Sequence, residues 1–365
     1  MRAAVMRDSK LVVDDLDSPK PQAGEVLVRT LACGICGSDL HTLKHAHKLV
    51  AASEESGAGF NMDLQRDVVM GHEFCAEILD FGPGTQKRFA EGTRVCSMPV
   101  TVRPSGVCSV GYSNEVPGGY AENMVLFEPL LLEVPNGLDT NLAALTEPTA
   151  VGYHAVEAAR LSKKEVPLVI GCGPVGLAVI MALKLKGLGP IIAADFSPRR
   201  RALAEQVGAD IVINPAEHSP YASWSEVASK EIDGSEMPPN PLSGAATFRE
   251  GVYFECVGVP GILDQMMTGA ERGTRIVVVG VCMERDQINP LTAITKELNV
   301  QFVLAYTPEE FETTLHNIAE GKVNVAPMIT GTVSIDGVPG AFQKLADPEL
   351  HAKIMVQPET LIDNI

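Results

Sequence analysis

The chain has 365 residues and a formal net charge of −17, and 45% of its residues are hydrophobic. This length is enough for about two domains with large cores, and the acidic balance argues against a nucleic-acid surface, which needs clustered cations. The apolar stretches are too short to cross a membrane, the N-terminus lacks the apolar segment of a signal peptide, and the eight cysteines are too scattered for a disulfide scaffold. We therefore expect a cytoplasmic protein without nucleic-acid or membrane partners.

Short strands alternate with turns in the first third of the chain. Residues 25–30 and 76–81 alternate polar and apolar side chains, which is typical of half-buried strands. Between them, residues 43–67 are polar and show no clear period. That stretch is predicted to be a loop or insertion.

After Glu147 the pattern changes to strands that alternate with helices. Strands are predicted at 167–171, 191–194, 211–213, 252–256, 276–280 and 300–304, and helices at 175–186 and 198–207. This alternation predicts an α/β fold with a parallel, doubly wound sheet. The polar stretch 215–249 is long for a connection in such a sheet, and we interpret it as a surface excursion with one helix at about 224–230.

A glycine-rich turn follows the first of these strands and opens a helix. Its residues are Gly171, Gly173, Pro174, Val175 and Gly176. The first glycine permits a tight turn, the second lets backbone approach a pyrophosphate, and the third allows close packing of helix on strand. An ordinary tight turn is the alternative to a dinucleotide site.

An acidic residue at the end of the next strand indicates which dinucleotide binds. Asp195 stands 19 residues after Gly176, where a carboxylate accepts hydrogen bonds from the ribose hydroxyls and repels a 2′-phosphate. This favours NAD over NADP. Arg199, Arg200 and Arg201 follow, and they are either a solvated helix face or a cluster that could hold a 2′-phosphate.

Candidate metal ligands occur in two dense clusters and one later position. They are Cys33 and Cys36 in the segment that also holds Ser38, Asp39 and His41, then His72 and Glu73, and finally Glu147. Thiolate, imidazole and carboxylate together suit zinc. Taken singly, the cysteines could be buried apolar residues, the histidine a core residue and Glu147 a charge at a helix start.

The sequence resembles the zinc-containing medium-chain alcohol dehydrogenase superfamily, and most of all its sorbitol/threonine dehydrogenase branch. The matching motifs are GICGSDLH (34–41), GHE (71–73), EPTAVGYHA (147–155), GCGPVG (171–176) and FECVG (254–258). The resemblance implies a mostly β GroES-like catalytic domain formed by residues 1–147 and 306–365. It also implies a Rossmann dinucleotide-binding domain formed by residues 148–305.

The resemblance implies a catalytic zinc. Cys36, rather than Cys33, becomes the thiolate ligand and His72 the imidazole ligand, while Glu73 and Glu147 flank the metal, and either one ligates it directly or through water. The expected position of the site is the cleft between the domains.

Further roles follow from the same resemblance. Asp39 would orient the imidazole ligand, Ser38 would take the proton of the substrate hydroxyl, and His41 would relay that proton towards solvent. The residues expected along the nicotinamide are Val257, Val259, Val279 and Val281. A turn serine packed against backbone is the plainer interpretation of Ser38.

The sequence departs from the family in two places. Many members hold a structural zinc with four closely spaced cysteines after GHE, but residues 92–118 contain only Cys96 and Cys108. Because two thiolates do not close a tetrahedral site, we predict one catalytic zinc and no structural zinc. The interval from Cys36 to His72 is also longer than usual, so we place the 43–67 insertion at the substrate entrance.

The leading hypothesis is an NAD-dependent zinc dehydrogenase that acts on a secondary alcohol or polyol, or on a ketone or aldehyde in reverse. The alternatives are a zinc-free NADPH reductase of activated double bonds, resembling quinone reductases, and a dinucleotide-binding protein without turnover. We also expect a homodimer or homotetramer, since the apolar strand at 300–304 could pair across a two-fold axis. A core strand of the monomer is the other interpretation of that segment.

Overall fold

The computed structural model describes residues 1–57, 60, 62–135, 137–359 and 363–365. The strands are β1 (Arg2–Arg7), β2 (Lys10–Asp15), β3 (Glu25–Gly34), β4 (Glu73–Phe81), β5 (Arg94–Ser97), β6 (Val100–Arg103), β7 (Gly106–Ser109), β8 (Asn123–Phe127), β9 (Leu131–Glu133), β10 (Val166–Ile170), β11 (Ile192–Ala194), β12 (Ile211–Ile213), β13 (Gly251–Glu255), β14 (Arg275–Val278), β15 (Asn299–Phe302), β16 (Ile329–Val333) and β17 (Lys353–Val356). The helices are α1 (Gly37–Ser56), α2 (Thr140–Ala144), α3 (Thr146–Ala159), α4 (Pro174–Leu185), α5 (Pro198–Val207), α6 (Pro220–Ala228), α7 (Ile262–Gly269), α8 (Pro290–Thr295), α9 (Pro308–Ala319) and α10 (Val338–Leu345). Short 3-10 turns lie at Glu128–Leu130 and Ala326–Met328.

The chain divides into two compact units. The first contains Met1–Pro148 together with Pro308–Ile365, and the second contains Thr149–Thr307. In the described part of the chain, no helix combines the length and apolar content needed to cross a membrane.

The first unit is built on a mostly antiparallel sheet in the order β16-β17-β3-β4-β5-β9, with β8 also pairing with β3. Strand β3 is the centre of this sheet because its first half pairs with β8 and its last two residues pair with β17. Its inward side chains, among them Val26 and Val28, are fully buried against residues such as Ile78 and Val125. The half-buried strands predicted at 25–30 and 76–81 are confirmed within β3 and β4.

Three segments that lie far apart in the sequence meet at the end of β3. Gly34 pairs with Glu73 of β4 on one side and with Met355 of β17 on the other. A Cβ atom at Gly34 would lie 2.1 Å from the Glu73 carboxylate, so this position must be glycine. The start of α1 follows directly after this point.

The loop predicted for residues 43–67 is wrong over its first half, because α1 continues to Ser56. The residues that this helix buries are Asp39, Thr42, Ala46 and Ser53, which are small or polar. A helix that buries such residues shows no hydrophobic period. Non-helical backbone at His45 (φ −134°, ψ 26°) kinks it and weakens the pattern further.

A two-stranded hairpin, β6–β7, lies within residues 92–118, the region for which no structural zinc is predicted. Arg103 of β6 donates to both carboxylate oxygens of Glu25, at 2.9 and 3.2 Å, and Thr101 donates to the same carboxylate at 2.8 Å. The side chains of Glu25 and Arg103 are 0% and 5% exposed. A buried ion pair therefore ties this hairpin to the start of β3.

The second unit contains a six-stranded sheet in the order β12-β11-β10-β13-β14-β15. Every neighbouring pair is parallel, which confirms the predicted doubly wound sheet. The order reverses between β10 and β13, and in such sheets ligands bind beyond the carboxyl ends of the strands at this reversal. The glycine-rich turn follows β10 at this position.

The predicted excursion at 215–249 contains α6, which starts earlier than expected because Ser219 caps it and Pro220 occupies its first turn. Residues 229–250, all of them described, add only an isolated bridge between Lys230 and Glu236. Trp224 of α6 is buried, and its indole N–H donates to the Val166 carbonyl at 3.0 Å. This contact anchors the excursion beside β10.

Candidate active site

Three of the predicted zinc ligands lie together in the first unit. One ligand-type atom each from Cys36, His72 and Glu73 falls within 4.8 Å of the others, and this is the one such group of three found in the described residues. Cys36 caps the start of α1, while His72 and Glu73 lie at the start of β4. Cys33 is fully buried, and burial raises the pKa of its thiol, so Cys33 remains a core thiol.

Lys353 of β17 is a member of this site that the sequence did not indicate. Its ammonium group donates to both oxygens of Glu73, at 2.7 and 2.6 Å, and to the Ile35 carbonyl at 3.0 Å. Both side chains are 0% exposed. Burial by itself would lower the pKa of Lys353, but the negative charges around it, Glu73 first, raise that pKa on balance.

Glu147, the fourth predicted ligand, lies in the first turn of α3 and is 9% exposed. It is not part of the group of three. Its charge nevertheless contributes to the raised pKa of Lys353. Glu147 is therefore close enough to the site for its charge to act on Lys353.

Asp39 lies behind His72, as the orienting role requires. His72 Nδ1 is 3.4 Å from Asp39 Oδ1, but it is buried and makes no well-formed hydrogen bond. Burial opposes the charge on each group, yet their mutual attraction raises the pKa of His72 and lowers the pKa of Asp39. Since Nδ1 faces Asp39, Nε2 is the imidazole nitrogen left to ligate a metal.

Ser38 lies beside the group of three and contacts two acceptors. Its hydroxyl is 3.2 Å from Cys36 Sγ and 2.9 Å from the Tyr112 hydroxyl. Tyr112 donates to Asp39 Oδ1 at 2.8 Å, and Tyr120 donates to Asp39 Oδ2 at 2.6 Å. The sequence singled out neither tyrosine, because no motif marks them.

His41 lies one turn further along α1 than Ser38 and is half-buried. Burial, followed by the charges of His45 and Lys44, lowers the pKa of His41. The imidazole is therefore neutral near pH 7 and able to accept a proton.

The glycine-rich turn in the second unit has the geometry that its sequence predicts. Gly171 adopts φ +92°, which favours glycine, and a Cβ atom at Gly176 would lie 1.9 Å from the Gly171 carbonyl oxygen. The Asp195 carboxylate accepts hydrogen bonds from the backbone N–H groups of Cys172 and Ser197, each at 2.8 Å. Asp195 is thus fixed at the end of β11, next to the turn.

Arg200 and Arg201, which follow Asp195, make different contacts. Arg201 donates to the Asp195 and Phe196 carbonyls at 2.9 and 2.7 Å, so it caps the end of the strand. The Arg200 guanidinium approaches to 3.9 Å from the Cβ position of Gly173, and its Nε is buried without a hydrogen-bond partner. Arg200 is partly exposed, and its guanidinium faces the glycine-rich turn.

The valines predicted along the nicotinamide lie at the ends of β13 and β14. Val257, Val259 and Val281 are 38%, 41% and 47% exposed, whereas Val279 is buried. A Val257 methyl group lies 2.7 Å from the Cβ position of Gly171. Exposed aliphatic side chains next to a dinucleotide turn form an apolar surface that fits a flat ring.

The two cysteines of the 92–118 region lie in different environments. Cys96 is buried in β5, where it donates to the Ala143 carbonyl at 3.2 Å and contacts Cys75. Cys108 lies in the β6–β7 hairpin, with its Sγ 3.8 Å from the Gly106 carbonyl. The absence of a structural zinc remains a prediction.

Comparison with known proteins matches both parts of the chain to dehydrogenases. Residues 22–136 match the family model described as alcohol dehydrogenase GroES-like domain, and residues 174–320 match the one described as zinc-binding dehydrogenase. (R,R)-butanediol dehydrogenase of Bacillus subtilis is 28% identical over 368 residues, covering 98% of this chain and 100% of that protein. Sorbitol dehydrogenase of the same organism is 25% identical over 374 residues, covering 98% and 97%.

A solved structure shows the same architecture. The crystal structure of 2R,3R-butanediol dehydrogenase from Bacillus subtilis matches with a TM-score of 0.79 at 27% identity, covering 98% of this chain and 99% of that one. The similarity therefore extends over both units and the motifs in each.

Proposed function

Because the chain belongs to the zinc-containing medium-chain alcohol dehydrogenase family, we propose that it oxidises a secondary alcohol or polyol with NAD, and reduces the corresponding ketone or aldehyde in reverse. The observation that carries this proposal is the grouping of Cys36, His72 and Glu73 within 4.8 Å. Named relatives act on butanediol and sorbitol, so vicinal diols and polyols are the first substrates to test.

The donor set fits one zinc ion. Cys36 supplies a thiolate, His72 the imidazole nitrogen that does not face Asp39, and Glu73 a carboxylate, which leaves one of four positions for substrate. The ammonium group of Lys353 offsets the charge of Glu73, so the remaining negative charge of the set is that of Cys36. Zinc bound here supplies a Lewis acid that lowers the pKa of a hydroxyl or polarises a carbonyl.

Of the two carboxylates, we assign Glu73 to the direct ligand set and Glu147 to a supporting position beside Lys353. Lys353 holds both oxygens of Glu73 in place, and held ligands orient a metal more precisely than free ones. We also propose that zinc binds here alone, since the β6–β7 hairpin already has its own buried ion pair.

The residues around the metal ligands move the proton. Ser38 accepts the proton of the substrate hydroxyl and gives up its own hydroxyl proton in the same step. His41, which its lowered pKa keeps neutral, takes the released proton towards solvent. Asp39 holds His72 in orientation.

NAD supplies the hydride acceptor. Asp195 keeps lone pairs free for the ribose hydroxyls after accepting two backbone N–H groups, and its charge disfavours a 2′-phosphate. Arg200, whose guanidinium lies close to Gly173, is proposed to contact the cofactor. The side chains proposed to contact the nicotinamide are those of Val257, Val259 and Val281. NADP remains the alternative, because Arg200 could also pair with a 2′-phosphate.

We propose that two or more copies associate through β15, which ends the sheet order of the second unit. Phe302 and Leu304 are 71% and 72% exposed there, and Leu291 and Ile294 of α8 are 65% and 70% exposed. An unpaired edge strand beside exposed apolar side chains is a natural surface for self-association.

The test combines zinc content with turnover. Protein purified without added zinc should contain about one zinc per chain and reduce NAD in preference to NADP with a secondary alcohol or polyol. Cys36→Ser should lose both the zinc and the activity, whereas Cys108→Ser in the hairpin should keep both. Two zinc ions per chain would contradict the single-site assignment, and zinc-free protein that reduces enones with NADPH would overturn the proposal.

A further inference from the structure

Tyr112, in the loop that follows β7, places its phenolic hydroxyl between two residues of the candidate site. This hydroxyl donates to Asp39 Oδ1 at 2.8 Å and lies 2.9 Å from the Ser38 hydroxyl. The side chain is 7% exposed, so water does not readily replace either contact.

The direction of these hydrogen bonds follows from counting protons. A carboxylate only accepts, and a phenol has a single proton. The Tyr112 proton is therefore given to Asp39, which leaves the Tyr112 oxygen, at 2.9 Å, and Cys36 Sγ, at 3.2 Å, as the two acceptors for the Ser38 proton. The Tyr112 oxygen is the nearer of the two. With its own proton held away, the Ser38 oxygen keeps its lone pairs for a substrate hydroxyl.

We propose that Tyr112 is a positioning residue that fixes the orientation of the resting Ser38 hydroxyl, with its lone pairs towards the substrate. When Ser38 receives the substrate proton, its own proton leaves the hydrogen bond to Tyr112 and passes to His41, so that Ser38 again holds one proton. This inference rests on the function proposed above. Without the Tyr112 hydroxyl, the Ser38 proton has Cys36 Sγ, 3.2 Å away, as its remaining acceptor. The Ser38 hydroxyl then rotates, and its lone pairs no longer point towards the substrate hydroxyl.

The 43–67 insertion holds Tyr112 in place. Phe60 packs edge-on against the Tyr112 ring with centroids 5.6 Å apart, and the Phe60 N–H donates to Ser53 Oγ of α1 at 2.8 Å. Asn114, two residues after Tyr112, exchanges hydrogen bonds with Asp63 at 2.8 and 3.0 Å. The described residues Phe60 and Asp63 of the insertion therefore pack against the Tyr112 loop.

Tyr120 provides a matched control. Its hydroxyl donates to the other oxygen of Asp39 at 2.6 Å, but it makes no hydrogen bond to Ser38 among the contacts of the described residues. An effect that acts only through Asp39 and His72 would appear in both Tyr112→Phe and Tyr120→Phe. An effect that acts through Ser38 would be specific to Tyr112.

The first experiment compares the two variants in the zinc-loaded enzyme. Tyr112→Phe should lower kcat about tenfold beyond the loss in Tyr120→Phe, as expected for removing one orienting hydrogen bond, with zinc content and KM unchanged. In a Ser38→Ala background, Tyr112→Phe should cause no further loss. The proposal would be overturned if kcat fell equally in Tyr112→Phe and Tyr120→Phe. It would also be overturned if Tyr112→Phe lowered kcat in the Ser38→Ala background as much as it does in the native protein.

The second experiment uses metal-free protein and does not depend on turnover. Alkylation of Cys36, followed by peptide mass analysis, should slow severalfold in Tyr112→Phe, because a serine proton redirected to the sulfur makes it a weaker nucleophile. Adding Ser38→Ala should restore the rate, and Tyr120→Phe should leave it unchanged. An unchanged rate in Tyr112→Phe would contradict the proposed orientation, even if the zinc site itself is correctly assigned.

Discussion

At the scale of single residues, the buried ion pair between Lys353 and Glu73 fixes the position of one member of the group of three. Both side chains are 0% exposed, and no solvent compensates either charge. Removing one partner of such a pair leaves an isolated buried charge, which is far more costly than losing the pair as a whole. The position of Glu73 therefore depends on a residue 280 positions away.

Lys353→Met should destabilise the metal-free protein by about 3–5 kcal/mol, the usual cost of an orphaned buried charge. The double variant Glu73→Gln with Lys353→Met should recover most of that loss, because it removes both charges. Urea unfolding of the three proteins measures the effect. Equal stability of the single and double variants would show that the pair does not carry this energy.

The sequence predicted the three donor residues that the structure brings together, but not the residues that contact them. Cys36, His72 and Glu73 belong to short motifs whose donor atoms suit zinc. Lys353 and Tyr112 stand alone in the sequence, and only the strand pairing and the loop packing bring them to the site. A single sequence carries no signal for such long-range contacts.

At the scale of elements, the strands were predicted more accurately than α1. The sheet strands bury aliphatic side chains, whose pattern is visible in the sequence. Helix α1 buries Asp39, Thr42, Ala46 and Ser53 instead. Because the residues on its buried face are small or polar, the helix has no hydrophobic period that the sequence could show.

The stability that the β6–β7 hairpin adds to the protein should depend on pH through the charge of Glu25. Burial raises the pKa of Glu25, but Arg103, the Gln22 N–H and Thr101 lower it on balance. A lowered native pKa adds stability above the ordinary glutamate value of about 4.3, and that stability is lost as pH falls through the native pKa. Glu25→Gln should therefore cost about 3 kcal/mol at neutral pH and progressively less in acid.

Urea unfolding at several pH values tests this, with an exposed ion pair as the control. Arg7 and Asp67 are bonded at 2.7 Å but are 43% and 33% exposed, so Asp67→Asn should change stability by less than about 1 kcal/mol. A constant penalty for Glu25→Gln at every pH would mean that the carboxylate charge does not hold the hairpin.

At the scale of the whole molecule, alternation of strands and helices was sufficient to predict the parallel sheet, but not the exposure of its last strand. Residues 300–304 read equally well as a core strand or as an edge. The structure places β15 at the end of the sheet order, with most of its side chains exposed. The core interpretation is therefore wrong, and an apolar edge is left that the chain itself does not cover in the described residues.

Phe302→Asp should separate the proposed oligomer into smaller species, because a charge in the middle of an apolar self-contact is repeated on each copy. Val102→Asp in the β6–β7 hairpin is the matched control, since Val102 is also an exposed apolar residue, at 47%, but lies in the other unit. Size-exclusion chromatography with light scattering should show a dimer or tetramer for the native protein and for Val102→Asp, and a smaller mass for Phe302→Asp. If the native protein is a monomer at micromolar concentration, β15 is not an interface. The same conclusion follows if Val102→Asp lowers the mass as much as Phe302→Asp does.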